Sequence, residues 1–181
     1  MDEARNPYAT PKAAIAGAAS DAPFFATPTA KLVALSLVTF SLYEVVWTYY
    51  SWKALRARLA RPIRPFWRAV FAPIWMFGLC DELNREARDA SLATQLAAGG
   101  LAVAFLVLNA LWRLPGPWSL VSLLSFVPLL PANSLARRLN EQLAPERPSA
   151  VGWSGWNVVA VLAFGPLALL GLIAMFLPPE P

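Results

Sequence analysis

Apolar and polar positions alternate along this chain in long blocks. Leu32 to Trp52 is a run of twenty-one residues with one acid, Glu44. About twenty residues of helix cross the ~30 Å of a bilayer's hydrocarbon, so the run is long enough to span. Trp47, Tyr49, Tyr50 and Trp52 at its end form an interfacial aromatic belt. Three more runs, Ser91–Trp112, Trp118–Ala136 and Trp153–Leu177, have the same character. A fifth, Phe66–Cys80, has fifteen residues and reaches only about 22 Å as a helix. The polar stretch Asp81–Asp89 follows it. The pattern predicts an all-α, polytopic integral membrane protein with four transmembrane helices and one short re-entrant or interfacial helix. Residues 31–178 form its single domain. Residues 1–30, rich in proline and alanine, read as a disordered tail without the apolar core of a secretory signal.

Charge adds an orientation. The chain is 57% hydrophobic and 14% charged, against roughly 45–50% and 25% in soluble domains, which makes lipid its expected solvent. The net charge of +4 is modest, but six of the fifteen bases, Lys53, Arg56, Arg58, Arg61, Arg64 and Arg68, fall within sixteen residues. Clustered beside an apolar run, they point to the positive-inside rule rather than to nucleic acid, with contact to anionic lipid headgroups as the sharper possibility. If Phe66–Cys80 crosses, the bases divide seven to eight; if it dips in and returns, they divide eleven to four. The second arrangement obeys the rule. It makes the 53–68 loop cytoplasmic and predicts the N-terminus outside.

An acid inside a membrane segment marks a function by default. Ser41, Glu44, Thr48 and Ser51 are spaced three, four and three, so on one straight helix they share a polar face. That face reads either as a helix–helix seam with hydroxyl glue or as part of an ion or proton path. Arg68, Arg113 and Asn109 are candidate partners of Glu44. Asp81 and Glu82 could contact cations, or begin a solvated helix. Asn109 and Asn133 suit interhelical hydrogen bonds. Ala98, Gly100, Ala102 and Ala104 pair at four-residue spacing, which allows close helix approach. There is also a short internal echo: Phe71-Ala72-Pro73 precedes Leu83-Asn84, and Phe126-Val127-Pro128 precedes Leu139-Asn140.

Histidine, thiolate and motif-based chemistries are excluded, and nothing supports a catalytic dyad of Asp81 and Glu44. Without histidine, the chain lacks the usual general base and metal ligand. Cys80 stands alone, so no intramolecular disulfide or thiolate metal cluster can form. No P-loop, nucleophile-elbow or dinucleotide-binding motif occurs. No cofactor, metal site or enzymatic activity is expected.

The segments Asn6-Pro7-Tyr8-Ala9-Thr10-Pro11, Leu42–Lys53 and Pro65-Phe66-Trp67-Arg68-Ala69 resemble a family of uncharacterised small bacterial inner-membrane proteins. These share an NPYxxP tail, an LYexyWfYrnWk helix and a PFWRA segment. The resemblance covers the first half of the chain and implies a bacterial inner membrane without implying an activity. The expected role is a structural or interaction subunit, self-associating or accessory to a larger membrane complex. The alternative is an ion or small-solute channel or transporter using the polar face of the first helix.

Overall fold

The computed structural model describes residues 22–176. The tail as far as residue 21, with the Asn6–Pro11 motif, lies outside them, as do residues 177–181. Among the described residues every regular element is helical, so the fold is all-α. In order these are α1 (Thr29–Val38), α2 (Leu42–Leu59), α3 (Pro65–Val70), α4 (Ala72–Asp89) and α5 (Ala98–Ala110). Two 3-10 helices follow, Leu111–Arg113 and Gly116–Phe126, then α6 (Leu129–Leu143) and α7 (Gly155–Phe176).

The expected tail is core where it is described. Phe24, Ala26 and Thr27 are buried, because two asparagines of α6 grip their backbone. Asn140 Oδ1 accepts from Phe24 N and its Nδ2 donates to Phe24 O, both at 2.9 Å. Asn133 does the same for Thr27, at 2.9 and 2.7 Å. The spacing fits: seven residues of helix rise about 10.5 Å, and three residues of extended chain cover ~10 Å. Asn133 Oδ1 also accepts from Trp47 Nε1 of α2 at 3.1 Å. The other edge of the segment is tied by Val151 N donating to Ala26 O at 2.7 Å. Phe25 stacks on Tyr50, and Arg58 lies over the Phe24 ring.

That clamp sets the path of the next elements. The chain enters α1 level with the C-terminal half of α2, so α1 and α2 are two arms of a hairpin. The expected single helix over Leu32–Trp52 is broken at Thr39–Ser41. Phe40 and Ser41 have φ of 49° and 67°, a left-handed conformation that costs a non-glycine residue about 1 kcal/mol. Thr39 supports the bend from its side chain. Its Oγ1 donates to Leu35 O at 2.7 Å and accepts from Tyr43 N at 3.0 Å, closing one helix and opening the next. Ser41 N reaches back to Ser36 O at 2.8 Å.

A second turn-back of the chain follows. Residues 66–80 form two helices meeting at Phe71. Phe66, Ala69 and Val70 share a groove with Val45, Val46, Tyr49 and Tyr50 of α2. Then α4 runs back, so that Glu82 and Glu86 meet Arg61 and Arg58. Arg68 is held between the rings of Trp52 and Trp75, 4.2 and 4.4 Å from their centroids.

Expected spans shorten elsewhere. Residues 92–97 are not helical: Asn84 of α4 bonds both N and O of Leu96, at 2.7 and 2.9 Å, and holds them extended. The third run is 3-10 from Gly116 to Phe126 and α-helical only from Leu129. Trp118–Leu143 is the one stretch among the described residues long and apolar enough to cross a membrane as a helix. With ten and thirteen residues, α1 and α5 fall short of that length. The echo in the sequence coincides with like geometry. Asn84 and Asn140 each grip a backbone N–H and C=O, and each donates to a carbonyl preceding the next long helix, Leu96 O and Ser149 O.

Replacing Asn133 by Leu should destabilise the chain by about 3 kcal/mol, since it orphans the Thr27 peptide groups and the Trp47 indole. Denaturant unfolding in detergent measures this. A loss under ~0.5 kcal/mol would show that the clamp does not hold the hairpin.

Candidate functional site: a serine-lined cavity against Glu44

Glu44 opens the second arm of the hairpin, on the first turn of α2, and is 2% exposed. Its Oε1 accepts a 2.7 Å hydrogen bond from Ser125 Oγ. Ser41 Oγ lies 2.9 Å from the same Ser125 Oγ. Either hydroxyl of that pair can be the donor, so Ser41, Ser125 and Glu44 form one short hydrogen-bonded chain in which each bond polarises the next. Glu44 Oε2 has no hydrogen-bond partner among the described residues.

The polar face expected on a single helix is thus split by the bend. Ser41 sits at the bend itself, while Glu44, Thr48 and Ser51 are buried on α2. Thr48 Oγ1 is unpartnered, as is Ser36 Oγ on the facing arm, and Ser51 donates to Trp47 O one turn back. None of the expected partners reaches the acid. Arg68 is stacked on tryptophans, Arg113 is an exposed residue over the Trp112 ring, and Asn109 donates to Phe105 O at 2.9 Å.

Beside Ser41 and Ser125 lies a cavity of about 420 Å³. Its walls come from the bend (Phe40, Ser41), Asn109 near the end of α5, Trp112 of the short 3-10 helix after it, the long 3-10 helix and Gly171 of α7. The serines of that 3-10 helix escaped sequence reading. At three residues per turn, Ser119, Ser122 and Ser125 eclipse one another in a column rising ~12 Å; on an α-helix they would fan apart. A Ser-x-x-Ser-x-x-Ser spacing between prolines is the signal that could have found them. Exposure falls along the column, from half-buried Ser119 and Ser122 to Ser125 at 1%. A separate void of about 10 Å³ lies among Trp47, Leu55, Leu79 and Leu83.

The other expected sites look different in three dimensions. Asp81 and Glu82 lie in the middle of α4, not at a helix start, and are ion-paired: Asp81 with Arg85 at 2.8 Å, Glu82 with Arg61 at 3.0 Å and Arg85 at 3.6 Å. Of the six clustered bases, Arg58 and Arg61 face Glu86 and Glu82, and Arg68 is enclosed by indoles. Lys53, Arg56 and Arg64 remain exposed and have no ion pair among the described residues. The small residues of α5 divide. Ala98 and Ala102 pack against the core beside α4, whereas Gly100 faces open space, its nearest neighbour on adding a Cβ being Ala97 Cβ at 3.9 Å. No cluster of metal-ligating side chains occurs among the described residues. Cys80 is buried.

Searches against family models, curated proteins and solved structures each return no match.

Ser125→Ala should cost about 2 kcal/mol, because it strands the Glu44 carboxylate. In a Glu44→Leu background the same change should cost under ~0.5 kcal/mol. A double-mutant cycle on unfolding midpoints checks the difference. Equal costs in both backgrounds would mean that the bond carries no coupling.

Proposed function

We propose that the chain is an integral membrane protein working as a structural or interaction subunit that assembles with further copies of itself. The observation that carries this reading is the segregation of charge. We read the bases of the described residues as gathering at one end: the six from Lys53 to Arg68, Arg85 and Arg88 on α4, Arg137 and Arg138 on α6, Arg147, and Lys31, whose Nζ donates to Gly152 O at 2.7 Å. Only Arg113 lies at the other end, after α5. Lys31 joins the majority because α1 starts beside the C-terminal half of α2. Under the positive-inside rule that end faces the cytoplasm. The exposed aromatic residues of the second hairpin, Phe66, Trp67, Phe71 and Trp75, suit an interfacial or re-entrant position. The exposed Lys53, Arg56 and Arg64 suit anionic headgroups. The resemblance to uncharacterised small bacterial membrane proteins supports an inner membrane as the location.

Lipid covers most of the remaining apolar surface. Along α7, Trp156, Leu162, Leu167 and Leu170 are 61–81% exposed. The contact between copies is placed on the free small face of α5, Gly100 and Ala104, where backbones can approach closely.

Gly100→Ile should weaken assembly by about tenfold or more and leave the fold intact, because the space at Gly100 is open. Ala102→Ile should instead lower stability, since Ala102 packs against the core. Cross-linking in nanodiscs, with unfolding midpoints alongside, separates the two. Unchanged assembly in Gly100→Ile would exclude this face as the contact.

A further inference from the structure

We propose that the groove between α2 and α3 is a binding site for one phospholipid with an anionic headgroup. Its acyl chain lies along Val45, Val46 and Val70, and its phosphate is taken by Lys53, Arg56 and Arg64. This rests on the membrane reading and deepens it, since a general attraction to headgroups becomes one site with a head end and a tail end.

Four observations converge. First, Val45, Val46, Tyr49 and Tyr50 on α2 and Phe66 and Val70 on α3 line a groove of about 360 Å³. Val45, Val46, Phe66 and Val70 are 38–59% exposed, so no element among the described residues covers it. Second, the charge lies at one end. At 100° per residue, Val45, Tyr49, Lys53 and Arg56 share an arc of about 80° on α2, so the apolar row runs on into two bases. Arg64 directly precedes α3 and begins the opposite wall. Third, Lys53 is placed on the rim: its Nζ lies 5.7 Å from the centroid of the Tyr50 ring, which itself lines the groove. Phe25 stacks on that ring at 5.1 Å and fixes it. Fourth, helical phase sorts the bases. Arg58 falls on the far side of α2 and meets Glu86, and Arg61 meets Glu82. Lys53, Arg56 and Arg64 are exposed and have no ion pair among the described residues, so their charge is left for a partner.

The chemistry selects a lipid. Both walls are helices whose backbone groups bond internally, so an extended polypeptide finds no edge to pair with, whereas an acyl chain needs only apolar contact. Val45 and Lys53 are about 12 Å apart along the helix axis. A free phosphate at Lys53 would leave that apolar length unused. Tyr49 and Tyr50 stand between the two ends, where amphipathic rings mark the level of the headgroups. Three bases without acids among them favour a net negative head over a zwitterionic one.

The test is paramagnetic resonance of spin-labelled lipids in bilayers holding the purified full chain. The probes are phosphatidylglycerol and phosphatidylcholine, each labelled on the acyl chain. The proposal expects phosphatidylglycerol to be favoured in the motionally restricted population by about threefold or more at low salt. Lys53→Gln combined with Arg56→Gln should bring the two lipids to parity. Arg88→Gln, which removes an exposed base of α4 away from the groove, should leave the preference in place. Val46→Trp, which fills the groove at an exposed position and keeps every base, should lower it. Equal restriction of both lipids by the unaltered chain would overturn the proposal. So would an equal loss in Arg88→Gln, which would trace the preference to the field of the whole surface, or an unchanged preference in Val46→Trp. Disulfide cross-linking between copies through Val46→Cys in a Cys80→Ala background would put a second copy in the groove and overturn the lipid assignment. No restricted population for either lipid would instead remove the membrane reading, and the proposal with it.

Discussion

The structure depends on two side-chain amides. Asn133 and Asn140, two turns apart on α6, hold residues 24–27 as one strand would hold another. They do so within the core, where an unpaired peptide group costs about 1–3 kcal/mol. Fixing those residues fixes where α1 begins. Because α1 begins beside the C-terminal half of α2, the apolar run that looks like a single span must fold back on itself. Trp47 makes the same point from α2, since its indole donates to the amide oxygen that also holds Thr27.

The bend follows from that constraint and creates the polar centre. Two successive left-handed residues that are not glycine are tolerated because Thr39 caps both helices and because the asparagine clamp leaves α1 no other direction. The turn brings Ser41 beside Glu44 and faces both toward Ser125. Ser125 is available only because the segment between Pro115 and Pro128 is wound as a 3-10 helix. The clamp, the bend and the serine column thus belong to one arrangement. The clamp determines the path, the bend positions the acid, and the 3-10 helix supplies hydroxyls and space.

Much of this could be read from the residues, for identifiable reasons. Helical character was legible because long apolar runs broken by polar loops have no other economical solution. The expected turn-back over residues 66–80 rests on fifteen apolar residues being too few to cross and Asp81–Asp89 too polar to remain inside; the structure shows two helices meeting at Phe71. The burial of Glu44, Thr48 and Ser51 was legible from their spacing. The break at Thr39–Ser41 was not. No proline or glycine marks it, and serine and threonine are common in membrane helices; the turn is held by the Thr39 bonds to Leu35 and Tyr43 and by Ser41 N reaching Ser36 O. The burial of Phe24–Thr27 was hidden too, since prolines on either side look like a tail until their partner on α6 is known. Ser119 and Ser122 escaped because their alignment exists only at three residues per turn.

The central claim, that the chain enters and leaves its first apolar run at the same end, can be tested by sidedness. Single cysteines would be placed at Thr29, Arg56 and Arg113 in a Cys80→Ala background and labelled with a membrane-impermeant maleimide in right-side-out and inverted vesicles. The hairpin predicts that positions 29 and 56 react in the same vesicle preparation and position 113 in the opposite one. Labelling of position 29 together with 113, opposite to 56, would restore a single crossing helix over Leu32–Trp52 and contradict the account.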